Sequence, residues 1–376
     1  MKFITIYKNP HFFSSFPSLS ILPDGSVIVA FRRAGLFSVL AAKKNEPTHH
    51  DTDSEVCVIK SNDQGESYDE ASLQIITKIS YGVNDPGISL LSNSRLILRS
   101  CVMQVCKTSE RDLLVAPITA HRPDLGTISA VVGQCIQFSD DLGKTWSPPH
   151  IIDMEGNPKN FVSREPIIEL EDGTLLMSVY TGFADQSDNA YIIRSWDKGK
   201  NWEDASLIAT DEKGKKSVFQ GVSFNETAIL NLGNGQIMAL LRADSDYHTN
   251  DSYMAIGGIG QLFQAFSYNA GFSWTNPKPT GIFGQPAHLL RLNDGNILCT
   301  YGYRKQPYSI KAVISHDNGV SWSTEETITL KEGCDFWDMG YPVSCQRNDG
   351  KIITVYYWVD EERTRFIESV IWELPL

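Results

Sequence analysis

Five times the chain repeats one frame, S-x-D-x-G-x-x-W. It is complete at Ser139–Trp146, Ser195–Trp202 and Ser315–Trp322. In Ser61–Tyr68 a tyrosine replaces the tryptophan, and in Ser267–Trp274 Asn269 replaces the aspartate. Such a segment reads as a tight β-hairpin turn. The Asp side chain accepts backbone N–H groups, Gly takes a positive φ and Trp folds back as an apolar plug. A turn of this size has no core of its own, so its recurrence demands an architecture built from repeats.

A second repeat interleaves with the first. Apolar runs flank a two-residue turn at Asp24-Gly25, Asn93-Ser94, Asp172-Gly173, Asn234-Gly235, Asp294-Gly295 and Asp349-Gly350, the strongest short-range hairpin signal. Each interval leaves room for four short strands. Four antiparallel strands repeated radially make a propeller blade, so six hairpins predict an all-β, six-bladed β-propeller. The sixth blade lacks the second kind of turn. It takes Arg365–Leu374 as its third strand and borrows Lys2–Tyr7 from the N-terminus as its fourth, closing the ring. One domain, 1–376, follows, with no linker. Residues 35–50 and 102–128 read as long loops, either rim decoration or a wall over the centre.

Composition is that of an ordinary globular chain: 41% apolar, 21% charged. A net charge of −12 argues against nucleic-acid or anionic-membrane partners. Seven cysteines without metal-type spacing read as core residues of a reducing compartment. The N-terminus has no signal-length apolar run and no segment is long enough to span a bilayer, so a cytoplasmic setting is expected. His49-His50-Asp51-Thr52-Asp53 has the composition of a metal cluster but no second group to complete it, and no metal or cofactor is expected.

In a propeller the innermost strands converge on the axis. Charged residues before the first hairpin strand, or just after the second, therefore gather at one mouth: Arg33, Asp51, Asp85, Arg164, Glu226, Arg242, Arg304 and Tyr341. Arginines among carboxylates suit an anionic small molecule, which a guanidinium grips bidentately. The chemistry that fits is cleavage of a glycoside. A tyrosine attacks only if a neighbouring base takes its proton. Tyr341 and Glu226 are the candidates for that pair, Asp51 is the candidate acid/base, and His50 and Asp85 are candidates to line the site.

The repeated turn is the Asp-box, and over nearly its whole length the chain resembles the sialidase (neuraminidase) superfamily, whose BNR/Asp-box repeats build six-bladed propellers. Glu226 and Arg242 straddle Asn234-Gly235, and Tyr341 precedes Asp349-Gly350, as that resemblance requires. It implies that Glu226 and Tyr341 are the activated nucleophile pair and Arg242 one of three arginines holding a sugar carboxylate. Ser15 stands where the family has the first of these arginines. Arg33 is the candidate to compensate, and Arg304 stands near the place of the third. The implied activity is an exo-acting glycoside hydrolase releasing a terminal acidic sugar from a glycan. Two alternatives stand beside it: a glycan-binding propeller without catalysis, and a glycosidase using two carboxylates drawn from Asp51, Asp85 and Glu226 on a uronate-like or neutral sugar.

Overall fold

The computed structural model describes residues 1–35, 49, 51–123, 126–152, 160–181, 187–210, 222–244 and 260–374. They form six antiparallel sheets in chain order around a ring, a six-bladed β-propeller. The inner strands are Phe12–Ile21, Gly82–Leu90, a strand broken into Phe161–Val162 and Ile168–Glu169, Ser223–Gly233, Ala287–Arg291 and Gly340–Gln346. In the sixth blade Lys2–Tyr7 pairs antiparallel with Arg365–Trp372, from Lys2 opposite Ile371 onward. The expected closure is thus present, with the third strand ending at Trp372.

The second strands are apolar almost without interruption, as in Val27-Ile28-Val29-Ala30-Phe31. A strand reads this way when both of its faces are buried. Here each face meets a different neighbour. Val27, Val29 and Phe31 pack with Val343 and Val355 of blade six, whereas Ile28 and Ala30 pack with Ile88 and Leu98 of blade two. The other blade junctions repeat the scheme. The ring has no single centre of hydrophobicity but six seams.

The five serine–aspartate turns link the third and fourth strands of blades one to five. In each, the serine Oγ accepts the glycine N–H at 2.8 Å and donates to the aspartate or asparagine that follows. Positive φ at Gly199 (88°) satisfies the turn. A Cβ there would also lie 2.8 Å from Ile97 Cδ1 of the preceding blade, so the glycine serves the seam as well. Trp202 and Trp274 are buried, and their indole N–H groups donate to the glycine carbonyls of their own turns at 3.1 and 3.0 Å.

Blade two departs from expectation. Residues 102–128 are not an irregular loop. The strand Leu96–Lys107 runs on and pairs with Thr127–Ser139, and Ile118–Arg122 adds a fifth strand. The cause is a small apolar cluster in which Met103, Val105 and Val131 bury against Val162 and Tyr180 of blade three. Of the other long segment, 36–48 and 50 lie outside the described residues. Among the described residues no helix is long and apolar enough to cross a membrane.

Candidate active site

Four inner strands carry the same irregularity. Ser15 pairs with Arg32 but Ser18 with Ala30; Asn84 pairs with Cys101 but Gly87 with Arg99. Likewise Asn225 pairs with Arg242 but Ala228 with Leu240, and Gly340 with Tyr357 but Val343 with Val355. Each is a bulge of one extra residue. The residue within it has positive φ: Phe16 53°, Asp85 47°, Glu226 33° and Tyr341 53°. Such a conformation costs a non-glycine residue about 1–3 kcal/mol, and a bulge re-aims the side chain it holds. The shared register sets the four residues at one level of the ring.

Two of them meet. The Tyr341 hydroxyl donates a short hydrogen bond to Glu226 Oε1, across blades six and four. Arg242 Nη1 donates to Glu226 Oε2 at 2.5 Å and its Nε to Asp244 at 2.7 Å. Two more guanidinium groups face the Tyr341 ring, Arg164 at 5.0 Å and Arg304 at 5.5 Å. Arg164 is fixed by the carbonyls of Ala287 and Pro342 and by its ion pair with Glu165. Arg304 donates to Met339 O at 3.3 Å, and among the described residues its Nε has no hydrogen-bond partner. Beside Arg304 opens a cavity of about 220 Å³, walled by Phe283, Gln285, Tyr303 and Lys305.

The electrostatics separate the pair. Burial, with the Glu226 charge, pushes the Tyr341 phenol well above its ordinary range. Burial also acts to raise Glu226, but the Arg242 charge and the hydrogen bonds from Tyr341 and Arg242 outweigh it and hold the carboxyl below its usual value. At neutral pH the tyrosine therefore keeps its proton and points it at an ionised carboxylate, the arrangement a latent nucleophile and its base require.

Arg33 is not part of this group. Its guanidinium bonds Glu55 at 2.6 Å and the Tyr7 hydroxyl at 2.8 Å and lies over Phe12. The neighbouring Arg32 points the other way, since successive strand residues face opposite sides. It takes the register position that Arg242 holds in blade four and pairs with Asp51 at 3.1 Å, both side chains fully buried. His50 lies outside the described residues. His49 is described: its Nε2 is 3.1 Å from Asp338 Oδ1, and its ring meets Phe16 edge-on. Asp338 also accepts from the Tyr357 hydroxyl. Burial raises this carboxyl, but His49 and Tyr357 overcome it and hold it down at about 2. Among the described residues no group of three or more His, Cys, Asp and Glu side chains could hold a metal.

The sequence profile of the BNR repeat-like domain family matches residues 121–354. The chain belongs to that family. A search of curated proteins gave no match. Among solved structures, the chain is similar to a Dyadobacter fermentans protein of unknown function (TM-score 0.82, 25% identity, covering 99% of this chain and 98% of that one). It also resembles the NanB sialidase of Streptococcus pneumoniae (0.65, 11%, covering 99% and 70%) and the intramolecular trans-sialidase of Ruminococcus gnavus (0.64, 14%, covering 98% and 97%). At these identities the two sialidases share its fold.

In this BNR repeat-like protein, sequence reasoning missed Arg32 and the shared bulge. A signal was available for both. Arg32 follows Gly25 at the same spacing at which Arg242 follows Gly235, and Pro17, Pro86, Pro166, Pro286 and Pro342 recur shortly before their hairpin turns.

His288, beside Arg164, gives the site a pH limit. Its Nδ1 accepts the Ser344 N–H at 3.3 Å. Burial, helped by the Arg164 charge, pushes the imidazole down to about 3. The unfolded chain binds this proton near pH ~6.5, so it holds more protons than the folded one below that point. Stability is then complete above ~6.5 and falls as pH drops toward ~3, by roughly 5 kcal/mol in all. Unfolding midpoints in urea measured across this range should fall less steeply in His288→Gln than in the wild type.

Proposed function

We propose that the protein is an exo-acting glycoside hydrolase that releases a terminal acidic sugar. The observation that carries the reading is the hydrogen bond from Tyr341 to Glu226, enclosed by three arginines. Tyr341 Oη attacks the anomeric carbon while its proton passes to Glu226. A neutral phenol next to an anionic sugar avoids the repulsion that a carboxylate nucleophile would meet. Water then hydrolyses the glycosyl–tyrosine bond. The departing oxygen needs a proton, which a further acidic side chain must supply, and Asp51 is closed off by its buried ion pair with Arg32.

Arg304 is the arginine we assign to the sugar carboxylate. Arg164 and Arg242 already hold Glu165, Glu226 and Asp244, whereas Arg304 forms no ion pair among the described residues. A charged hydrogen bond of this kind is worth about 1.5–3 kcal/mol. Arg304→Gln should therefore raise KM for acidic glycosides by about 10- to 100-fold and leave neutral glycosides nearly unaffected. The engaged state of Arg164 and Arg242 favours a second reading, a neutral terminal sugar. Hydrolysis of aryl sialosides, uronides and neutral glycosides, with Tyr341→Phe as control, separates the two. A wild type that binds these sugars without cleaving any of them would leave only a binding role.

A further inference from the structure

We propose that Asp244 sets which acidic sugars the site admits. It occupies Arg242 in place of a substrate carboxylate, so the sugar acid is held by Arg304 alone and a sugar hydroxyl meets Asp244. The inference rests on the acidic-sugar reading above and names the residue that tunes it.

The placement comes from strand geometry. Arg242 and Asp244 stand two residues apart at the end of the strand Gln236–Asp244, so their side chains leave the same face. Ala243 between them is buried. Asp244 Oδ2 accepts from Arg242 Nε at 2.7 Å, and its Oδ1 accepts from Gln285 Nε2 at 3.2 Å. Gln285 also walls the cavity beside Arg304. The carboxylate is thus gripped on both oxygens and links Arg242 to the wall of that cavity.

Two equivalent positions show what is particular about this one. Arg32, Arg242 and Tyr357 hold one register position in blades one, four and six. Each bonds an aspartate of the chain: Asp51, Asp244 and Asp338 respectively. The Arg32–Asp51 and Tyr357–Asp338 pairs are sealed from solvent. Arg242 and Asp244 keep 19% and 14% of their side-chain surface exposed, so a ligand at the mouth reaches them.

Charge then decides what that ligand presents. A second carboxylate brought to Arg242 Nε would lie against Asp244, and like charges repel strongly in a partly closed site. The incoming acid is turned toward Arg304, the guanidinium without an ion pair among the described residues. A hydroxyl meets no such barrier. Among the described residues each Asp244 oxygen makes one hydrogen bond, and a carboxylate oxygen can accept a second. The sugar selected in this way offers its acid to one arginine and a hydroxyl to Asp244.

The test compares the wild type, Asp244→Asn and Asp244→Glu on the nitrophenyl glycosides of sialic acid, glucuronic acid and glucose, with KM and kcat read separately. Asparagine keeps the shape and can still accept from Arg242, but it removes the charge. Asp244→Asn should raise the preference for the acidic substrates over the glucoside by about 10- to 100-fold in kcat/KM, carried by KM. Asp244→Glu retains the charge and should retain the wild-type preference. In the Asp244→Asn background, Arg304→Gln should cost less than it does alone, because Arg242 Nε can then take the acid. A loss of activity common to all three substrates is what a merely structural role predicts. That result, or a preference unchanged or lowered in Asp244→Asn, overturns the proposal while cleavage by the wild type keeps the hydrolase reading. A wild type that cleaves none of the three ends the hydrolase reading, and calorimetric titration with free sialic and glucuronic acids then decides the proposal. Tighter binding by Asp244→Asn than by the wild type upholds it, and equal or weaker binding overturns it.

Discussion

Tyr341→Phe is expected to lower kcat/KM by about 10⁴-fold, and Glu226→Gln by about 10²- to 10⁴-fold. The phenylalanine keeps the ring that faces Arg164 and Arg304 and removes only the hydroxyl, the proposed nucleophile. Glutamine keeps the size of Glu226 and removes its charge, while Asp244 still pairs with Arg242. In the proposed reaction nucleophile and base act as a unit, so the double variant should be no slower than Tyr341→Phe alone. Additive losses would show that the two residues act separately. Activity retained in Tyr341→Phe together with loss in Glu226→Gln would point to a two-carboxylate reaction.

The second large effect is on stability. Trp202→Ala should destabilise the protein by about 3–5 kcal/mol, read as a fall in the urea midpoint. Trp202 is 2% exposed and packs with Ile97 and Ile136 of blade two as well as Met177 of its own blade, so its loss opens a seam. Trp322 holds the same place in the blade-five turn but is only partly buried, its N–H bonded to Gln264. Trp322→Ala should cost less than half as much. Equal losses would mean that the turn, not the seam, sets the energy.

Both effects rest on positions that were legible to different degrees. The blades, their closing strand and the meeting of Tyr341 with Glu226 could be read from turn chemistry and alternation, which depend on short stretches of chain. Arg33 could not be told from Arg32 in that way. A strand's facing changes with every residue, and the pairing of Ser15 with Arg32 is set by a bulge whose partner strand lies across the hairpin. The engagement of Arg242 with Asp244 and the closure of Asp51 by Arg32 are three-dimensional in the same sense. The sheet continuing through 102–107 depends on Val162 and Tyr180 in the next blade, far beyond any window in which periodicity is read.

The seam between Lys2–Tyr7 and Arg365–Trp372 imposes an order in time. Blades one to five can each complete their sheets from contiguous chain, but blade six waits for strands more than 300 residues apart, the slowest kind of contact to form. Tyr341 belongs to that blade. During synthesis Glu226, the proposed base, is therefore made well before residues 365–372 can complete the blade that carries Tyr341, the proposed nucleophile.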